Sequence, residues 1–155
     1  MLFTGHYEHA IDAKHRLAIP AEIRARWRPE DGSAWQALPW VDGAIRLYTE
    51  SDFHARAAEY RTGLTPDQDE ATLRLTLFGM SRRLEMDSAG RIRIPEEMLE
   101  LTGLGTEVAL VGAGEWLEIK DRAGWRAGMQ DRLAQLPELM ARIEAKRRAK
   151  ANGEA

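Results

Sequence analysis

The chain writes one nine-residue phrase twice: DAKHRLAIP over residues 12–20 and DSAGRIRIP over residues 87–95. Each matching position lies 75 residues further on, from Asp12 to Asp87, Arg16 to Arg91 and Pro20 to Pro95. Repetition at a fixed offset means that one supersecondary unit is built twice. With 155 residues there is room for one ordinary domain or two very small ones.

Each copy reads as strand, turn, strand, helix, strand. Leu17 and Ile19, then Ile92 and Ile94, alternate with polar or small residues, the period of a strand with one face buried. Arg16, Arg91 and Arg93 therefore fall on the opposite face. Asp12 and Asp87 shape the turn before each strand, because an aspartate side chain accepts backbone N–H groups two residues on. Gly90 supplies a residue that tolerates positive φ. His15 holds that place in the first copy, and histidine is among the non-glycine residues that reach the left-handed region more readily. HYEHAI and RRLEM, just before the turns, are predicted strands. Pro20 and Pro95 then open short helices in AEIRARW (21–27) and EEMLEL (96–101), proline being suited to the first helical position. Gly103 stops the second helix.

Strands follow at AIRLY (44–48) in the first copy and at EVALVG (107–112) and WLEIK (116–120) in the second. LYTESDF (47–53) matches IKDRAGW (119–125) at an offset of 72, so a loop of the second copy is three residues shorter. The repeats are accordingly placed at residues 5–53 and 80–125. Residues 54–79 read as a helical linker with a turn at Thr65–Pro66. Residues 126–155 read as a helical, basic tail, with Leu133, Leu136, Met140 and Ile143 along one edge. Pro137 is expected to start or break a helix there.

The net charge of −3 argues at first against a polyanionic partner, but the position of charge matters more than its sum. Residues 12–28 carry Lys14, Arg16, Arg24, Arg26 and Arg28 against Asp12 and Glu22. Residues 82–93 carry Arg82, Arg83, Arg91 and Arg93 against Glu85 and Asp87. Both basic islands coincide with the repeated phrase. No stretch has the ~18 unbroken apolar residues of a membrane span. The N-terminus has neither a basic start nor an apolar run, so no secretory leader is expected. There is no cysteine, which excludes disulfides and thiolate chemistry. A cytoplasmic protein is expected.

The pattern Asp-x-x-Gly-Arg-apolar-x-Ile-Pro before a short helix resembles the AbrB-like swapped-hairpin DNA-binding domain. Two copies joined through LTLFGMSRRLEMDSAGR, with LYTESDF closing the first, are similar to the MraZ family of bacterial transcriptional regulators associated with the division and cell-wall gene cluster. The similarity spans roughly residues 1–126. It implies an α+β fold of two pseudo-symmetric swapped-hairpin β-barrel repeats with short helices, followed by the C-terminal helical tail. It also implies a homo-oligomeric ring, octamer-like, that contacts double-stranded DNA at repeated short promoter boxes, including those of its own gene, within the nucleoid. Carried over by position, the DNA contacts are Lys14, Arg16, Arg24, Arg91 and Arg93, with Asp12, His15, Asp87 and Gly90 shaping the turns. The second copy has Leu99 where the first has Arg24. No cofactor, membrane or small-molecule substrate is implied.

Other readings share these residues. Asp12 with Arg16 and Asp87 with Arg91 also suit plain turn-stabilising ion pairs, which on a surface contribute only about 0–1 kcal/mol each; duplication amid extra cations favours DNA. A module that binds a protein partner through its tail, as an antitoxin does, fits the same repeats. His6-x-x-His9-x-x-Asp12 suggests a metal-dependent enzyme only superficially, because residues three apart on a strand face opposite ways and a closed metal site needs four ligands. Gly103-Leu-Gly105 and Gly112-Ala-Gly114 lack the rest of a phosphate loop. The five tryptophans are assigned to core or subunit interface rather than to base stacking.

Overall fold

The first copy begins with β1 (His6–Ala10), turns, and continues into β2 (Arg16–Ala18), helix α1 (Ala21–Ala25), β3 (Ala34–Pro39) and β4 (Ile45–Thr49). In this computed structural model, which describes residues 1–153, α2 (Glu50–Ala57) and α3 (Gln68–Gly79) lead to the second copy. That copy comprises β5 (Arg82–Glu85), β6 (Arg91–Arg93), α4 (Glu96–Thr102), β7 (Glu107–Gly112) and β8 (Leu117–Asp121). Helix α5 (Arg122–Ala151) follows. The chain divides into two units, Met1–Arg122 and the residues from Ala123 on.

Local chemistry accounts for the helix ends. Thr49 accepts the Asp52 amide at the start of α2, and Asp67 accepts the Glu70 amide at the start of α3; each satisfies a donor that the first turn leaves open. Gly103 ends α4 with a φ of 71°, the left-handed cap that glycine adopts without strain.

Six strands form one antiparallel sheet in the order β1-β7-β8-β4-β3-β5, and β2 pairs with β6 in a separate two-stranded ladder. The order reads the same from either end when the copies are exchanged, so a pseudo-twofold axis passes between β8 and β4. The correspondence slides along the chain. β2 and β6 keep the offset of 75, β3 and β7 stand 73 apart, and β4 and β8 stand 72 apart. The three missing residues are thus lost in two steps, two before β7 and one in the hairpin after it.

Each copy's first strand pairs with the other copy: β1 with β7, and β5 with β3. The expected barrel-like halves are corrected by this pairing. Neither copy retains enough strands of its own to close, and the shared sheet is open, ending at β1 and β5. One core draws on both copies, with Leu17, Ile19, Ile23, Trp35 and Leu47 meeting Ile92, Ile94, Met98, Leu110 and Ile119.

Strand β3 is absent from the sequence reading. Ala34, Trp35, Ala37 and Leu38 are all buried, so the strand faces apolar surroundings on both sides and shows no period-two pattern. Helix α5 corrects the expectation for Pro137, since the helix runs through it. Proline removes one backbone donor and crowds the carbonyl four residues earlier, but the flanking Leu, Gln, Glu, Met and Ala residues are strong helix formers.

Candidate nucleic-acid interface

The two turns are built alike, atom for atom. In the first, the Asp12 amide donates to the Arg16 carbonyl at 3.0 Å and the His15 amide donates to the Asp12 carbonyl at 2.9 Å. Asp12 Oδ1 accepts the amides of Lys14 and Arg16 at 2.9 and 2.8 Å, and its Oδ2 accepts Arg16 Nε at 2.8 Å. In the second, the Asp87 and Gly90 amides repeat the backbone pair at 2.8 and 2.9 Å. Asp87 Oδ1 accepts Ala89 and Arg91 amides, and Oδ2 accepts Arg91 Nε, all at 2.9 Å.

Such donors favour the ionised acid. The Arg16 amide foremost, then its guanidinium and the Lys14 amide, hold the Asp12 carboxyl below its ordinary value. The Arg91 amide leads the same set of causes at Asp87. His15 has a φ of 62°, the one positive φ outside glycine among the described residues, and Gly90 has 76°.

The β2–β6 ladder joins the turns. Leu17 pairs with Ile92, flanked by Arg16 with Arg93 and Ala18 with Arg91. Beyond it, the Ile19 amide donates to the Gly90 carbonyl at 2.9 Å and the Ile94 amide to the His15 carbonyl at 2.8 Å. The Leu17–Ile92 pair, buried on the core side, therefore marks the pseudo-twofold axis of the ladder. On the other side Lys14, Arg16, Arg91 and Arg93 line a single open recess, together with Glu85 and Asp87.

Within that recess the cations are engaged unequally. Arg16 and Arg91 each use Nε on their own aspartate and keep the two terminal nitrogens without a protein partner among the described residues. Arg93 Nε donates to the Lys14 carbonyl at 3.1 Å. Arg24 does not join them. Its Nε donates to the Ile19 carbonyl at 3.0 Å, and its side chain lies so close over Gly90 that a Cβ there would sit 2.3 Å from Arg24 Cδ. At the offset of 75 residues Leu99 corresponds to Arg24 and His15 to Gly90, so the first turn carries a side chain where the second has none.

Glu85, a recess acid, is not among the residues singled out from sequence. Its signal is its place two residues before Asp87, on the strand that enters the turn. The second basic island is also smaller in space than in sequence. Arg83 is held by Glu50 and Glu85, and Arg82 pairs with Glu97. No helix among the described residues is long and apolar enough to cross a membrane.

Residues 77–147 match the family model described as "MraZ protein, putative antitoxin-like". The chain is 32% identical over 77% of its length to the "Transcriptional regulator MraZ" of Mycoplasmoides gallisepticum, covering 82% of that protein. It is 32% identical over 86% of its length to the protein of the same name from Coxiella burnetii, covering 89% of it. With the Thermomicrobium roseum protein of that name it shares 30% identity over 92% of its length, covering 97% of the relative.

Proposed function

Because the chain belongs to the MraZ family, we propose that it is a sequence-specific, double-stranded-DNA-binding transcriptional regulator that works through the recess between its two Asp–Arg turns. The observation that carries this reading is the β2–β6 ladder, around which Lys14, Arg16, Arg91 and Arg93 line one open surface. The names of its relatives support the regulatory role.

In this reading the aspartates never touch DNA. Asp12 and Asp87 hold the turns and draw Nε of each arginine inward, which aims the remaining fork at solvent. A fork so fixed can take two oxygens of a phosphate or the edge of a guanine, and orienting it beforehand reduces the side-chain entropy lost on binding. Lys14 supplies a point charge to a phosphate. Arg93 contributes from the neighbouring rung, and Arg24 acts by bracing the second turn. The strand exchange between copies supports reading each copy as an AbrB-like swapped hairpin. Assembly into a ring, octamer-like, would present this recess repeatedly to repeated short promoter boxes, including those of its own gene beside the division and cell-wall genes. The protein would then work in the cytoplasm, at the nucleoid.

Footprinting and titration on DNA upstream of the coding region test this. Wild type protects short repeated boxes. Arg16→Ala raises the binding free energy by about 1–3 kcal/mol per engaged site, and Arg16→Ala with Arg91→Ala removes specific protection while each lost ion pair costs the fold only about 0–1 kcal/mol. Near-native titration by the double variant would overturn the proposal.

A further inference from the structure

The C-terminal third of α5 carries a charge pattern that the recess does not use. Residues 142–150 hold five cations, Arg142, Lys146, Arg147, Arg148 and Lys150, against one carboxylate, Glu144. Arg148 Nε lies 3.1 Å from Glu144 Oε1, and the two charges cancel. The other four cations are exposed and have no ion-pair partner among the described residues. A helix turns 100° and rises 1.5 Å per residue. Arg142, Lys146 and Lys150 therefore form a row about 12 Å long on one flank, with Arg147 beside it.

Two bland explanations fall short. Cations near a helix C-terminus are favoured by the macrodipole, but that effect is confined to the last turn, and Arg142 lies more than two turns from the end of α5. Pairing at i,i+4 with acids on the same face would explain the row, but positions 138, 142, 146 and 150 contain one acid, Glu138, at the start only.

We infer that this row is a second, sequence-independent contact to the phosphates of duplex DNA, outside the recess. It rests on the reading of the protein as a DNA binder. Duplex DNA carries a negative charge about every 1.7 Å of its axis, so a row of flexible Lys and Arg heads finds phosphates along it without a fixed register. Such heads select charge, not bases, so the contact adds affinity and salt dependence and no preference among sequences.

The test is the slope of log affinity against log salt on an upstream duplex and on a scrambled duplex of equal length. Each phosphate neutralised contributes about 0.9 to the slope. In the full-length protein, R142Q/K146Q/R147Q/K150Q should reduce the slope by about 2–4 on both duplexes, with the ratio of the two affinities unchanged. Glutamine is a good helix former, and circular dichroism checks that α5 persists. The charge-keeping variant R142K/K146R/R147K/K150R should keep the native slope. An unchanged slope in the glutamine variant, or a lost slope in the charge-keeping one, would overturn the inference. If wild type binds neither duplex, the DNA reading fails with it; if wild type binds and only the tail variant behaves as native, the tail inference alone falls.

Discussion

Position 15 and its counterpart 90 hold the same backbone shape with opposite side-chain chemistry, and the difference lies in what covers each. A Cβ at Gly90 meets Arg24 at 2.3 Å on a residue already at positive φ, so Gly90→Ala should destabilise the fold by about 1–3 kcal/mol. Combining it with Arg24→Ala should recover the steric part, leaving the backbone strain; a double-variant cycle by thermal melting reads this. His15→Gly should change stability by less than about 1 kcal/mol, because relief of strain is offset by a looser unfolded chain. The aspartates give a second residue-scale prediction. Both carboxyls titrate below their ordinary value of 3.8 in the folded protein. Their contribution is therefore present above that value and is lost as pH falls through the lower folded values. Melting temperature followed from pH 5 to pH 2 should fall less steeply for Asp12→Asn with Asp87→Asn than for wild type, since asparagine keeps the turn acceptor without the charge.

At the scale of elements, three-residue strands such as β2 and β6 hold only a few ladder bonds, so what anchors them is the fully buried Leu17–Ile92 pair. Ile92→Ala should destabilise by about 2–5 kcal/mol, with the transfer and cavity terms combined. Because this pair is the hinge between the turns, DNA affinity should fall with stability, unlike the Arg16→Ala case. Denaturant unfolding alongside DNA titration separates the two behaviours; lost stability with native affinity would show that the ladder does not organise the recess. Helix α3 is bound differently. Leu73 and Leu75 are 45% and 75% exposed and face outward, while Leu77 and Phe78 are half-buried, Phe78 against Phe53.

For the whole molecule, if the recess binds DNA as proposed, two turns per chain would engage few phosphates, and affinity would gain from several recesses acting together through a high effective concentration. The outward apolar residues of α3, with Leu64 and Met80 nearby in sequence and also exposed, are suited to burial between copies. The expected outcome is a closed homo-oligomer larger than a dimer by light scattering at micromolar concentration. Leu75→Glu should shift it to smaller species with the fold intact by circular dichroism. A monomeric wild type in the same measurement would contradict the ring and the avidity argument together.

The repeated phrase by itself determined a great deal. Asp at the head of the turn, Arg four residues on, the alternating Leu17/Ile19 and Ile92/Ile94, and proline before each helix are local rules, each acting within a few residues. The strands and helices they specify stand at β2, β6, α1 and α4. What the chain could not show along its length was partnership. Only the tertiary structure decided that β1 joins β7 and β5 joins β3, because strand pairing depends on which edges meet and not on a strand's own residues. Strand β3 was illegible for a related reason: buried on both faces, it carries no alternation to read. Tertiary contact also sorted the cations. Along the sequence Arg24, Arg82 and Arg83 look equivalent to Arg91 and Arg93. In space Arg24 covers Gly90, Arg82 and Arg83 are held by acids as distant as Glu97 and Glu50, and Lys14, Arg16, Arg91 and Arg93 share a recess. Charge is a property of the residue, but its availability to a partner is set by the neighbours that folding brings to it.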